Sequence, residues 1–191
     1  KKKIIITGGL GYIGTELCKL YSGVSWHHHI VVIDNRFVSE RVNQLRNWNM
    51  EFVQGDILDR SLVEKYFTDA DVVHHLAGIT IVPRTKNEST EDQDKKIREV
   101  GENGTQNILD VVSDNCKLIF PSTHVVYEGI EKVKTDIQEN EETKPVLSYS
   151  SSKAFNEKQL KDSGKNYIIL RLGSVYGYSS DTMRIDIMPN L

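Results

Sequence analysis

The sequence is short of cysteine. Cys18 and Cys116 are its two thiols, and they do not form a CxxC. Two cysteines this far apart build neither a disulfide framework nor a zinc ribbon, so a reducing, cytoplasmic setting is the expectation. Long apolar runs are lacking as well. None reaches the roughly 20 residues needed to cross a bilayer, and no secretory pattern opens the chain, so no membrane partner is expected. An excess of one charge is also missing. The net charge is −3 with both signs interspersed, which offers no basic surface for a nucleic acid. No repeat, low-complexity tract or linker divides the chain, and 191 residues suffice for one sizeable core rather than two. His27-His28-His29 could bind metal by composition, but no carboxylate or cysteine stands at ligand spacing beside it. It reads as a solvated loop, and no metal site is expected.

What the chain does have begins at once. Lys3-Ile4-Ile5-Ile6-Thr7 is a short β-branched run, Gly8-Gly9-Leu10-Gly11 a glycine-rich turn, and Tyr12-Ile13-Gly14 the entry to a helical pattern. Glycines there let the backbone turn tightly and approach a pyrophosphate, and the N–H groups of the helix start face the phosphates. Two spacings fit: Gly9, Gly11 and Gly14 match GxGxxG, while Gly8, Gly11 and Gly14 match GxxGxxG. Twenty residues after Gly14 a second strand ends in Asp34, where a dinucleotide site places the carboxylate for the adenosine ribose.

The rest of the chain alternates strands with helices. A first helix is expected over Leu10 to Tyr21, with Ile13, Leu17 and Leu20 on one face. A short helix around Val42 and Leu45 precedes a strand at Glu51–Gln54. A helix marked by Leu62, Val63, Tyr66 and Phe67 follows, then a buried strand from Asp71 to Gly78. Glu88 to Asn115 reads as a long helix weakened by Gly101 and Gly104. Leu118-Ile119-Phe120 is a strand ending in Pro121-Ser122-Thr123. An acidic, turn-rich loop covers Glu128 to Thr143, a helix starts near Ser148, and Tyr167–Leu170 is the sixth strand. Such alternation gives an α/β fold, a doubly wound parallel sheet whose strand ends share one edge. The glycine turn, Asp34, Asp56, Ala77, Thr123 and Gly173 should meet there.

Tyr149 and Lys153 stand four apart on a helix and so share a face. A phenol titrates near ~10, and a neighbouring ammonium lowers that value, which suits the pair to proton transfer. Thr123 could hydrogen-bond the same substrate hydroxyl.

The set Thr7–Gly14, Gly55-Asp56-Ile57, His75-Leu76-Ala77-Gly78, Ser122-Thr123 and Tyr149–Lys153 resembles, in order, the extended short-chain dehydrogenases/reductases. Within them it is similar to the NAD-dependent epimerase/dehydratase family, whose members act mostly on nucleotide sugars. The resemblance implies an NAD-binding Rossmann fold across 1–191 and NAD as cofactor. Tyr12 and Ile13 would meet the pyrophosphate, Asp34 with Asn35 the adenosine ribose, and Asp56 with Ile57 the adenine. Gly8, Gly11 and Gly14 would shape the turn, while Leu76, Ala77 and Gly78 would line the path to the nicotinamide ribose. Tyr149 would be the general base or acid, Lys153 would bind the ribose and tune Tyr149, and Thr123 would polarise the hydroxyl. Asp34 disfavours a 2′-phosphate, with Arg36 the nearby opposing charge.

The resemblance further implies a nucleotide-sugar substrate and a homodimer. The dimer would pair the long helix and the Tyr149 helix across a twofold axis, burying Ile97, Val100 or Val111. Members continue into a smaller substrate-binding region, of which this chain should hold little. Gly101 and Ser174 stand where members usually or often carry asparagine. His124-Val125 replaces the acidic pair of the 4,6-dehydratases and speaks against that chemistry. The expected activity is epimerisation or a related hydride transfer; the alternative is an NAD-binding module without turnover.

Overall fold

A computed structural model describes residues 1–80 and 90–177. Six strands form one parallel sheet: β1 (Lys3–Thr7), β2 (His29–Asp34), β3 (Glu51–Gln54), β4 (Val72–His75), β5 (Lys117–Thr123) and β6 (Asn166–Leu172). Their spatial order is β3-β2-β1-β4-β5-β6. The chain winds outward from β1 to β3, then returns to the other side of β1 as β4. Direction therefore reverses between β1 and β4, where ligands of such sheets bind.

The helices are α1 (Tyr12–Ser22), α2 (Ser39–Asn47), α3 (Arg60–Phe67), α4 (Glu91–Arg98), α5 (Gly104–Val111) and α6 (Ser148–Asp162). Alternation along β1 divides its isoleucines between two cores. Ile4 and Ile6 join Leu10, Cys18, Ile30, Val32, Val42 and Leu45 beneath α1 and α2. Ile5 joins Val31, Ile33, Val63, Phe67, Val73, Ile108, Phe120 and Leu160 on the opposite face. Edge strand β6 turns Ile169 toward that second core and leaves Ile168 and Leu170 exposed.

Three expectations need correction. The inner face of α1 is Gly14, Thr15 and Cys18, while Ile13 is 37% and Leu20 78% exposed. Small residues decide the contact side because Gly14 brings the helix down onto the turn: a Cβ there would lie 2.6 Å from the Gly9 Cα. Leu17 only partly packs against the core.

The long helix is not one regular α-helix. A π-helical segment, Glu99–Asn103, joins α4 to α5. Side chains of α6 bond its carbonyls: Asn156 Nδ2 donates to Gly101 O at 3.0 Å and Gln159 Nε2 to Glu102 O at 3.1 Å. Gly101 and Gly104 are packing positions. A side chain at 101 would meet the Ser152 hydroxyl, and one at 104 would come within 2.7 Å of Ile57 Cγ1. Glu88 and Ser89, at the expected start of this helix, lie outside the described residues, as does Met188–Leu191.

Ile97, which the resemblance placed in a dimer contact, is 3% exposed within the single chain. Val100 and Val111 pack partly against the core. The apolar pattern of this helix is thus accounted for by its own fold.

Among the described residues no helix is long and apolar enough to cross a membrane. Both cysteines are free and buried; burial pushes the Cys18 thiol up to about 12 and that of Cys116 to about 11.

The α1 contact gives a direct test. Gly14→Ala should destabilise the fold by ~1–3 kcal/mol in spite of alanine's better helix propensity, because backbone cannot yield to the new Cβ. Gly23, which ends the same helix with φ −67° and has nothing within 4 Å of where a Cβ would stand, is the control. Gly23→Ala should be neutral or stabilising by up to ~1 kcal/mol. Urea unfolding of both variants checks the contrast.

Candidate active site

The turn after β1 lies against the end of β4. Gly8 adopts φ +65°, and a Cβ on it would stand 2.8 Å from Ala77 N. Its N–H donates to Ile33 O at 2.7 Å and its carbonyl accepts from Gly11 N at 3.0 Å. Gly9 is pressed against Val32 and Gly14 against Gly9, so both glycine spacings describe the same turn. No side chain caps α1 and no acid stands in its first turn, which leaves the helix start open to an anion.

Asp34 follows β2 and is 6% exposed. Its Oδ2 accepts from Leu10 N at 2.9 Å; Oδ1 accepts from Arg36 N at 3.0 Å and Arg36 Nε at 3.4 Å. The carboxylate therefore anchors the turn as well as facing the edge, a role its position in the sequence does not reveal. A carboxylate has about four lone-pair sites, so acceptor capacity remains for a sugar hydroxyl. Arg36 pairs with Asp34. Asn35 and Asp56 come together, with Asn35 Nδ2 donating to Asp56 Oδ2 at 3.4 Å. The side chain of Ile57 is buried beneath Gly104, so its backbone is the part left to meet a ligand.

Beneath Leu76, Ala77 and Gly78 runs a buried polar line that sequence reasoning missed. Ala77 N donates to Thr7 Oγ1 at 3.0 Å, Thr7 Oγ1 lies 3.0 Å from His75 Nδ1, and His75 Nε2 lies 2.9 Å from Thr105 Oγ1. Burial, with the Lys153 charge second, pushes His75 down to about 3, so the ring is neutral. With Thr7 donating to Nδ1, Nε2–H donates to Thr105, and each proton has an acceptor. His75 was legible as part of a motif, but its partners come from β1 and α5.

Tyr149 and Lys153 line one small pocket with Ala77, Gly78, Gly101 and Phe120. Lys153 Nζ donates to Pro121 O at 2.9 Å and sits 4.4 Å from the centre of the Phe120 ring. Burial brings its ammonium down to about 8. Pro121 is tolerated in β5 because the pairing with β4 ends at Ile119, so no N–H is needed on that side. Thr123 ends β5, 8% exposed, and its Oγ1 accepts from Val125 N at 3.3 Å, which leaves its hydroxyl hydrogen able to donate. The start of α6 is held by Glu128, whose Oε1 accepts from Val146 N and Leu147 N at 2.7 Å each and from the Ser150 hydroxyl. Tyr149 sits between two of these anchored residues.

Residues 4–189 match the NAD dependent epimerase/dehydratase family. The chain belongs to that family. It is 32% identical over 186 residues to a putative UDP-glucose 4-epimerase of Methanocaldococcus jannaschii, covering 93% of this chain and 57% of the relative. UDP-glucose 4-epimerase from Brucella ovis, solved in complex with NAD, superposes with a TM-score of 0.72 at 30% identity, over 92% of this chain and 52% of that one. UDP-glucuronic acid 4-epimerase from Bacillus cereus, also solved with NAD, gives 0.76 at 26% identity, over 93% and 58%. The chain spans little more than half the length of these relatives.

In this family member two positions that depart from the usual pattern have local explanations. Gly101 is required by Ser152, as described above. His124 is exposed and its Nδ1 bonds Leu172 O at 3.2 Å, tying the end of β5 to the end of β6. Ser174 is exposed beyond β6. Among the described residues no group of three or more metal-ligating side chains comes together.

Glu157 is a further residue that sequence reasoning passed over. It stands four after Lys153, so helical spacing on α6 was the available signal. It is 2% exposed, accepts from Ser122 Oγ at 2.6 Å, and forms a two-pronged pair with Arg171: Nε to Oε1 at 2.9 Å and Nη2 to Oε2 at 2.6 Å. Arg171 also reaches the Tyr127 hydroxyl and Glu139 O. The pair ties α6 to β5 and β6 behind Thr123 and Lys153. Burial pushes the Glu157 carboxyl up, but the hydrogen bonds from Arg171 and Ser122 outweigh it and hold the group below its usual 4.5.

A carboxyl lowered in the fold contributes stability above its unfolded pKa and loses it as pH falls through the folded value. Glu157→Ala should destabilise by ~3–5 kcal/mol at pH 7, since it leaves Arg171 without its carboxylate. The gap between parent and variant should hold above about pH 4.5 and narrow as the pH falls below it. Denaturant unfolding at several pH values measures both.

Proposed function

We propose that this chain is the NAD-binding, catalytic portion of a nucleotide-sugar epimerase or a closely related oxidoreductase. One observation carries the reading. Asp34 and the Tyr149–Lys153 pair flank the same reversal of strand order, with the uncapped start of α1 between them. The turn suits a dinucleotide: Gly8 and Gly14 let the strand end, the turn and the helix start pack closely, and Asp34 keeps acceptor capacity for ribose hydroxyls. In this reading Tyr12 and Ile13 meet the pyrophosphate, Asn35, Asp56 and the Ile57 backbone border the adenine end, and Leu76, Ala77 and Gly78 line the way to the second ribose.

NAD, when bound, would supply hydride chemistry at a sugar carbon. The chain's own groups handle the proton. Tyr149 takes it from a sugar hydroxyl and later returns it. Lys153 favours the phenolate by its charge and donates to ribose hydroxyls. Thr123 donates to the sugar oxygen while the proton is away. If the sugar presents its other face before hydride returns, the product is the epimer. Relatives that act on UDP-sugars support a nucleotide-sugar substrate. A homodimer and a cytoplasmic location remain part of the proposal, the latter supported by two buried free thiols.

The test uses the complete encoded protein with a panel of nucleotide sugars, following isomer exchange by NMR. Tyr149→Phe keeps the ring, so NAD affinity should stay close to that of the parent while turnover falls ~10²–10⁴-fold. NAD binding with no Tyr149-dependent turnover on any sugar would replace the enzyme by a non-catalytic NAD-binding module.

A further inference from the structure

We propose that Phe120 is a positioning residue for Lys153, its ring face carrying the ammonium and holding it at the edge of the pocket that Tyr149 lines. The inference rests on the reading of Tyr149 and Lys153 as the reacting pair. Phe120 itself belongs to β5, is 1% exposed, and has no polar atom.

The geometry is that of a cation over a π face. Lys153 Nζ lies 4.4 Å from the ring centre, inside the ~6 Å range of such contacts, and donates to Pro121 O of the next residue at 2.9 Å. Phe120 also contacts His75, with ring centres 5.7 Å apart and the planes tilted by 44°. The imidazole in turn is fixed by Thr7 and Thr105. The ring therefore contacts both the pinned imidazole and the ammonium. The chain of supports runs from β1 and α5 through His75 and Phe120 to Lys153.

A bare apolar wall would do the opposite of what the site needs. Removing water from an ammonium disfavours its charge, and a ring quadrupole is the one apolar surface that gives some of that stabilisation back. Burial alone already brings Lys153 down to about 8. Among the described residues the titratable groups that face it are few. Tyr149 comes from α6, and His75, neutral, from β4 behind the ring; β5 contributes Phe120 and a carbonyl, and the π segment Gly101. Phe120 thus keeps the cation both charged and in place.

The experiment is lysine-selective NMR of the full chain labelled with ¹³C at Cε, with the Lys153 signal assigned by Lys153→Arg. In the unmodified protein the Lys153 ε-protons should lie clearly upfield of the other lysines through the ring current, and the signal should titrate with a pKa well below 10.5. An ordinary, unshifted resonance overturns the proposal without any variant at Phe120. Phe120→Leu keeps an apolar filler and removes the π face, so the Lys153 pKa should fall by roughly half a unit or more, while Phe120→Tyr keeps the parent's value. An unchanged or raised pKa in Phe120→Leu means that the ring merely fills space, and also overturns the proposal. Calorimetry of Lys153→Ala with NAD separates the two levels. Unaltered NAD affinity there would undo the cofactor role of Lys153 and leave the NMR result on Phe120 standing on its own.

Discussion

The carboxyl edge of this sheet depends on how closely the turn after β1 lies against the end of β4. Gly8 must be in the left-handed region and without a side chain, because Ala77 N occupies the space beside it. Two hydrogen-bonded links hold that approach. The Asp34 carboxylate reaches from β2 to Leu10 N, and Thr7 reaches from β1 to Ala77 N and His75. Loosening either would move the groove in which the proposed dinucleotide lies, so recognition and folding share the same atoms.

On the other side of the reversal point the site is built from buried polar groups that are costly unless paired. Lys153 has a carbonyl and a ring face, Glu157 has Arg171 and Ser122, and His75 has two threonines. A buried ion pair is weak evidence for stability, but it is strict about geometry, because an unpaired member is strongly penalised. The Glu157–Arg171 pair fixes α6 against β5 and β6, and with it the angle at which Tyr149 and Lys153 meet the strand ends. The π segment does the same from the far side, offering Gly101 O and Glu102 O to Asn156 and Gln159.

Much of this was legible in the sequence. Strand–helix alternation and the glycine turn carry the fold, since hydrophobic period and turn chemistry are local properties. Asp34, Thr123, Tyr149 and Lys153 all follow strands or share a helix face, and the parallel sheet brings the strand ends to one edge. What escaped depends on distant partners. Ile13 and Leu20 look buried by period, yet the contact of α1 is set by Gly14 against Gly9, which no helical wheel contains. Gly101 and Gly104 look like helix weaknesses until Ser152 and Ile57 are seen packed on them. Phe120 reads as one more apolar strand residue until a lysine 33 positions on is found over its ring.

The proposed NAD site turns on Asp34, which is anchored on the glycine turn and would present its carboxylate to the adenosine ribose. Calorimetric titration of the chain with NAD and with NADP tests this most directly. The anion at Asp34 should repel a 2′-phosphate, so NAD should bind at least about tenfold more tightly, a difference of about 1.4 kcal/mol. Equal affinity for the two dinucleotides, or tighter binding of NADP through Arg36, would contradict it.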